Sequence, residues 1–560
     1  MKTKIISITA ILMSVFSVAT NAEPTVITNV KGYTYTTSEE FVTFDSIAFE
    51  DGKILAVGDK SIVSQYPDAK VTDGKGKTML PGIIDGHGHM LGLGFNQLNV
   101  DVRDLKSAQE TAKKVAQYAA KNPQVTWIKG RGWNQEIWPE NKYPTAKQLD
   151  EYISDRPVYL SRVDGHAAWL NTKAMELAGI TRNSISPEGG EIIKDKDGNP
   201  TGVLIDNAEV LVMEKIPAPS QAEMALALNT ANDHLLSLGV TSMHDAGIDL
   251  DTYNLYRAKA DSKELDVRIY GMLAATDPNL ELMLKQGYIS DENDFLSIRS
   301  VKIYGDGALG SRGAALLEPY HDDRHNQGLL VTSKEKLTPL FDTILAHRFQ
   351  INIHAIGDRA NRIALDEFER VFKKPESTLI NGDALRHRVE HAQVVHPEDI
   401  PRFKTLNIIP SMQPTHATSD KSMAPKRIGE ARLKGAYAWQ SFLKQGSKIV
   451  AGSDFPVELA NPFFGVHAAV ARQDRDNQPQ GGWIMEEAMT VKQALKAFTI
   501  DAAFGAHQET KIGGLQAGKW ADFILLDQDI FAVQPKDLWK TRVLETWVAG
   551  KRVFKNKSTQ

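Results

Sequence analysis

Apolar positions along this chain follow two rhythms, and the change from one to the other divides it. Residues 25–35 are rich in Val, Thr and Tyr, and residues 42–48 alternate between apolar and polar. Asp51-Gly52 then turns the chain into a further strand at 53–57, and Asp73-Gly74 marks another turn. Similar short strands are predicted at 522–527 and 544–554, the latter broken at Gly550. Neither end carries enough apolar surface for a good domain of its own. Together they predict one small β-sandwich domain, residues 23–78 plus 510–560, with the rest of the chain inserted between its halves.

From Met79 the pattern becomes short apolar strands separated by helical stretches. The strand candidates are 80–85, 158–162, 240–244, 268–272, 301–304, 351–354, 388–391, 406–410 and 449–452. Stretches 221–238, 360–372 and 491–498 repeat their apolar positions at the helical period. This alternation predicts an α/β fold, a TIM-like (β/α)8 barrel over residues 79–509. The candidates exceed the barrel positions by one. The strand at 158–162 is therefore assigned, with residues 100–225, to an insertion near the barrel mouth. Its Trp133, Trp138 and Trp169 read as packing, with the lining of a pocket as the alternative.

Residues 1–22 belong to neither pattern. Lys2 and Lys4 precede an apolar run, and Ala19-Thr20-Asn21-Ala22 supplies the small residues of a cleavage site. A signal peptide cut near Ala22–Glu23 is predicted, with a periplasmic or secreted product. The run is shorter than the ~20 residues of a membrane span, so no stable membrane insertion is expected. Cysteine is absent, which excludes disulfides, thiolate ligands and a cysteine nucleophile. Any metal must be held by histidine and carboxylate-type groups. The formal net charge of -5 argues against broad nucleic-acid binding and leaves a small molecule as the expected partner.

The candidate chemistry gathers at the predicted strand ends. In Asp85-Gly86-His87-Gly88-His89 the two histidines stand at i and i+2, so on an extended strand they point the same way. His354, His391 and Asp454 each close another apolar strand. Either of these two histidines alone could be a satisfied core residue, but four such sites on strands of one barrel point to a metal centre. Lys302 interrupts the apolar strand Ser300-Val301-Lys302-Ile303-Tyr304, where an unpaired ammonium is costly to bury. It either pairs with Asp306 or reacts with carbon dioxide to form a metal-bridging carbamate. His166 and His416 are candidates for holding substrate or the tetrahedral oxygen, or for structural hydrogen bonds. Glu390 precedes a ligand on its strand and is expected to point away. Arg312 suits a substrate carboxylate or a loop anchor.

The ordered blocks Pro81-Gly82-Ile83-Ile84-Asp85-Gly86-His87-Gly88-His89, Asp164-Gly165-His166, Asp306-Gly307-Ala308-Leu309-Gly310-Ser311, His354-Ala355-Ile356-Gly357-Asp358, Arg388-Val389-Glu390-His391, Gln413-Pro414-Thr415-His416 and Gly452-Ser453-Asp454-Phe455-Pro456 together carry a resemblance. The chain resembles the amidohydrolase superfamily, in its bacterial metal-dependent branch that includes N-substituted formamide deformylase (amidohydrolase family 3). The resemblance spans nearly all of the mature chain. It implies His87 and His89 on the more buried metal and Lys302 as a carbamylated ligand. It places His354 and His391 toward a second metal, and makes Asp454 both ligand and proton shuttle. One or two zinc ions are implied, with manganese or iron suiting the same donors. The implied reaction is hydrolysis of a non-peptide C–N amide bond by metal-activated water, with His166 and His416 near the substrate. An ester, a cyclic amide or an amino-substituted ring carbon are alternative targets of the same site, and an inactive binding or regulatory protein is the non-enzyme alternative. A homodimer is implied by the resemblance and by the general frequency of two-fold assemblies.

Overall fold

The computed structural model describes residues 23–557 apart from 164, 166, 188, 189 and 376; the expected signal peptide and His166 lie outside the described residues. At the centre, eight parallel strands run in sequence order: Ile83–Gly88, Val240–Ile248, Arg268–Ala274, Leu296–Tyr304, Gln350–Ala355, Arg388–His391, Ile409–Met412 and Val450–Ala451. Each is buried along nearly its whole length, because side chains fill the inside and helices cover the outside. Helix Gln221–Ser237 shows how a covering helix is specified. Ser220 and Glu223 form a reciprocal capping box at its start, while Met224, Leu228, Ala231 and Leu235 pack into the core. The seventh strand begins later than the sequence pattern suggests. Leu406 caps helix Ile400–Thr405, and Asn407 turns with a left-handed φ of 51° before the strand can start.

The last strand meets the first at a seam with few ladder bonds. Gly88 bridges to Phe455, and the Asp454 amide donates to the His87 carbonyl at 2.7 Å. Asp85 supplies the rest: its carboxylate accepts from the Ser453 hydroxyl at 2.6 Å, the Ser453 amide at 3.0 Å and the His87 amide at 3.1 Å. Fully buried there, its carboxyl is pushed up to about 7, the hydrogen bonds from Ser453 and His87 opposing the shift. The seam closes this tightly only with glycine on both sides. A Cβ at Gly452 would lie 2.5 Å from the His87 nitrogen, and one at Gly88 2.6 Å from the Phe455 ring.

Strands from both termini join in one eight-stranded sheet, in which Phe523–Leu526 pairs antiparallel with the end of Lys70–Pro81. A buried bidentate ion pair ties this sheet to the barrel, with Arg268 Nε 2.7 Å and Nη2 3.1 Å from the Asp522 carboxylate. Between the first and second barrel strands the chain builds a separate six-stranded sheet. Val158–Arg162 lies within it, paired with Ile128–Trp133 and Ala167–Leu170. Trp133, Trp138 and Trp169 are buried with ring centroids 6.3 Å apart; they form this unit's core rather than a pocket wall. The unit contributes Arg131 to the mouth of the barrel.

Candidate metal centre

A cavity of about 510 Å³ opens at the C-terminal ends of the barrel strands. His87, His89, Lys302, His354, His391, His416 and Asp454 all face it. His87 and His89 come from the first strand, where the i, i+2 relation puts them on one side. His89 then starts helix Met90–Leu98. His391 and Asp454 reach the cavity differently. Both have left-handed backbone, with φ of 74° and 62°, a conformation that costs a non-glycine residue about 1–3 kcal/mol. At each point the strand alternation is broken so that a side chain turns inward.

Asp454 is the hub. His89 Nε2 lies 3.2 Å and His87 Nε2 3.7 Å from its Oδ1, while His416 Nε2 lies 3.6 Å from its Oδ2. Two sets of three groups therefore share this carboxylate: His87, His89 and Asp454 on one side, His391, His416 and Asp454 on the other. Within each set the potential ligand atoms lie within 4.8 Å of one another. His354 belongs to neither set but packs against His391, ring centroids 4.5 Å apart.

These residues fit a divalent cation. Among the described residues, the buried Nε2 atoms of His87, His354 and His416, and Oδ1 of Asp454, have no hydrogen-bond partner. Leaving four such atoms dry and unpaired is costly unless a ligand satisfies them. Burial, reinforced by the Lys302 charge, pushes His87 down to about 4 and His354 to about 3, so both are neutral and hold a free lone pair. Burial alone would raise Asp454, but the imidazoles of His89, His87 and His391 packed around it hold it well below the usual carboxylate range. Neutral imidazoles around an ionised carboxylate are the donor set that zinc, manganese or iron accepts.

Two further residues aim the ring ligands. Glu390 Oε2 lies 2.5 Å from His87 Nδ1, and Gln413 Oε1 lies 2.7 Å from His391 Nδ1. Both oxygens can only accept, so each Nδ1 carries the proton and each Nε2 is left with its lone pair toward the cavity. Glu390 thus corrects the expectation that it points away. Strand alternation does put Arg388 and Glu390 on the interior face, and His391 joins them only through its left-handed turn. Arg388 and His87 outweigh burial and keep the Glu390 carboxyl strongly lowered.

Lys302 is 1% exposed and stands over the Tyr304 ring at 4.5 Å. The ion pair with Asp306 does not form. Asp306 instead accepts from the backbone amides of Ala315, Ile356 and Gly357, at 2.8 to 2.9 Å. Among the described residues, no carboxylate lies within 4 Å of the Lys302 amine. Burial lowers its pKa, against the raising fields of Glu390 and Asp454. Arg312 is a loop anchor, forked onto Asp322 at 3.0 and 3.1 Å. Asp85 and Gln413 stand inside the motif blocks without an individual expected role, and the cavity-lining Asp420 lies outside those blocks.

Comparison with known proteins agrees with this geometry. A profile of the amidohydrolase family matches residues 70–554. Protein LONG AFTER FAR-RED 3 of Arabidopsis thaliana is 33% identical over 93% of this chain and 90% of its own. Putative amidohydrolase YtcJ of Bacillus subtilis is 32% identical over 93% of this chain and 98% of its own. N-substituted formamide deformylase of Arthrobacter pascens is 27% identical over 90% and 94%. Among solved structures, an uncharacterized metal-dependent hydrolase from Pyrococcus horikoshii superposes with a TM-score of 0.76 at 27% identity, covering 91% of this chain and 99% of that one. With the barrel, the histidine–carboxylate centre and these relatives in agreement, the chain belongs to the amidohydrolase family and is a metal-dependent hydrolase.

Proposed function

We propose that the site hydrolyses a non-peptide amide C–N bond in a small molecule, using one or two divalent cations, zinc in the first instance. The observation that carries this reading is Asp454, a buried, ionised carboxylate shared by two ligand sets with one oxygen unbonded. A cation held by these residues supplies Lewis acidity toward water and the substrate carbonyl. The chain's own groups handle the protons. Asp454 accepts one from the attacking water and returns it to the nitrogen as the C–N bond breaks, giving an acid and an amine. Its position is held by its backbone bond to His87 and, through Ser453, by Asp85. His416 Nε2 faces the cavity beside Asp454 and suits either the metal or the carbonyl oxygen. The 27% identity to N-substituted formamide deformylase supports an amide over other targets.

Lys302 is read as carbamylated: the ammonium gives up one proton, and the neutral amine adds to carbon dioxide and gives up a second, so that an anionic carbamate stands where a cation stood. Its burial beside the ligands, without a carboxylate partner, supports this. Export is proposed from the leader alone. Cleavage after Ala22 would leave the terminal sheet whole, since its first strand begins at Thr25. Among the described residues, no helix is long and apolar enough to cross a membrane. A homodimer is proposed on the family resemblance. The activity is tested with metal-reconstituted protein against N-formyl and N-acyl amines, acyl amino acids, lactams and esters. Amine release from the open-chain amides, lost on chelation and in Asp454→Asn, is expected. Turnover of esters or lactams with those amides untouched would overturn the amide assignment.

A further inference from the structure

One carboxylate in the cavity wall has no part in the chemistry above. Asp420 closes helix Pro414–Asp420, four residues after His416. The two therefore share a helix face, about 6 Å apart along the axis. Oδ2 of Asp420 accepts from Gln393 Nε2 at 2.7 Å and from the Tyr437 hydroxyl at 2.8 Å. Both donors are neutral. Among the described residues, no lysine, arginine or histidine nitrogen comes within ion-pair distance, and Oδ1 accepts no hydrogen bond.

Asp420 is part-buried in the cavity wall, and with neutral partners only its charge is left without a compensating cation. Burial pushes the Asp420 carboxyl up, with His416 and the Tyr437 hydroxyl opposing. Glu458, on the same side of the cavity, is differently placed: it accepts from Ser419 Oγ at 2.5 Å and lies in the field of Arg103. Leu309, Ile356 and Met423 line the same cavity.

Resting on the reading of the site as an amide hydrolase, we propose that Asp420 is a specificity residue for a substrate bearing an ammonium group roughly 6 Å from the scissile carbonyl. An acylated alkyl diamine has this chemistry. The carbonyl sits at Asp454 and His416, the methylene chain lies against Leu309, Ile356 and Met423, and the cation pairs with the free oxygen of Asp420. Tyr437 and Gln393 hold that carboxylate in place before the substrate arrives, which lowers the ordering cost of binding.

The test compares monoacetylated diaminobutane with N-pentylacetamide, its neutral counterpart of similar length, on the metal-loaded enzyme. At least a tenfold preference in kcat/KM for the cationic compound is expected, carried mainly by KM. The ratio should fall close to one in Asp420→Asn, which keeps an oxygen for Tyr437, and fall partway in Tyr437→Phe. Equal kcat/KM values in the parent enzyme, or a preference that survives Asp420→Asn, would overturn the assignment. If neither compound is hydrolysed, the amide reading is decided by the wider set of amides, lactams and esters given above. Equilibrium binding of the same pair then decides the cation site: tighter binding of the ammonium compound, lost in Asp420→Asn, supports it, and equal Kd values refute it.

Discussion

Replacing Glu390 by glutamine tests whether the carboxylate behind His87 sets the strength of the metal site. The parent side chain is fully buried, 2.5 Å from His87 Nδ1 and paired with Arg388 Nε at 2.8 Å. The amide keeps an oxygen that can accept from His87, so the ring need not flip. It removes the negative charge that strengthens the imidazole as a donor. Loss of such an outer partner weakens metal binding about 10–100-fold, that is by about 1.4–2.7 kcal/mol. Arg388 also loses its carboxylate, and breaking a buried pair costs about 3–5 kcal/mol of stability. Here the lower end is expected, because Arg388 retains the Gly86 carbonyl at 2.6 Å, Ser411 Oγ at 2.8 Å and His244 at 2.9 Å. Competition with a chromogenic chelator gives the affinity, and chemical denaturation of the metal-free protein gives the stability. Gln413→Ala removes a neutral acceptor behind His391 and should weaken binding less. A folded Glu390→Gln variant with parental metal affinity would refute the reasoning and leave Glu390 as a purely structural partner of Arg388.

Lys302→Ala and Lys302→Arg should both fold yet lose bound metal and activity, since neither can form the carbamate; parental metal content in either variant, read by elemental analysis, would exclude an essential bridge. His387 lies outside the site, with Nδ1 accepting from the Ile351 amide at 2.9 Å and Nε2 donating to the Ile380 carbonyl at 2.8 Å, and burial holds it down at about 4. The unfolded chain therefore binds this proton first as the pH falls below about 6.5, so the contribution of neutral His387 is complete above that pH and is lost toward pH 4, by about 3 kcal/mol. The stability gap between the parent and His387→Asn should narrow by that amount on acidification, and a constant gap in denaturation midpoints would contradict it. Gly452→Ala forces a methyl against the His87 nitrogen and Asp85 Oδ1, 2.5 and 2.8 Å away; a loss of about 1–3 kcal/mol is expected, together with weaker metal retention, and an unchanged Tm would show that the seam can yield.

Much of this was readable in the chain because barrel chemistry sits where apolar strands stop. His87, His89, His354, His391 and Asp454 each follow such a run, and position alone marked them. Glu390 was misread because alternation was counted backwards from His391, whose left-handed φ breaks it. A better signal was available: opposite charges at Arg388 and Glu390 share a face of a strand otherwise too apolar to expose either. Lys302 and Asp306 looked like partners by spacing, yet the chain leaves its strand at Gly305. Asp306 turns to the backbone amides of Ala315, Ile356 and Gly357, the last two about 50 residues on. Gln413 and Asp420 could not be found by pattern, since their roles depend on a histidine and a tyrosine brought in from other loops.

The seam between the first and last barrel strands has a consequence for the order of events in the life of the chain. Asp85 and Ser453 are 368 residues apart, and the set of His87, His89 and Asp454 needs side chains from both flanks of that junction. The terminal sheet is equally non-local, its early strands pairing with residues beyond 520. During synthesis the His87–His89 pair therefore emerges long before Asp454, and remains an incomplete ligand set until almost the whole polypeptide exists. Closing such distant ends is slow. A cation spanning the junction would act as a late staple, rewarding only full-length chains whose ends have met and leaving truncated ones without a centre to load.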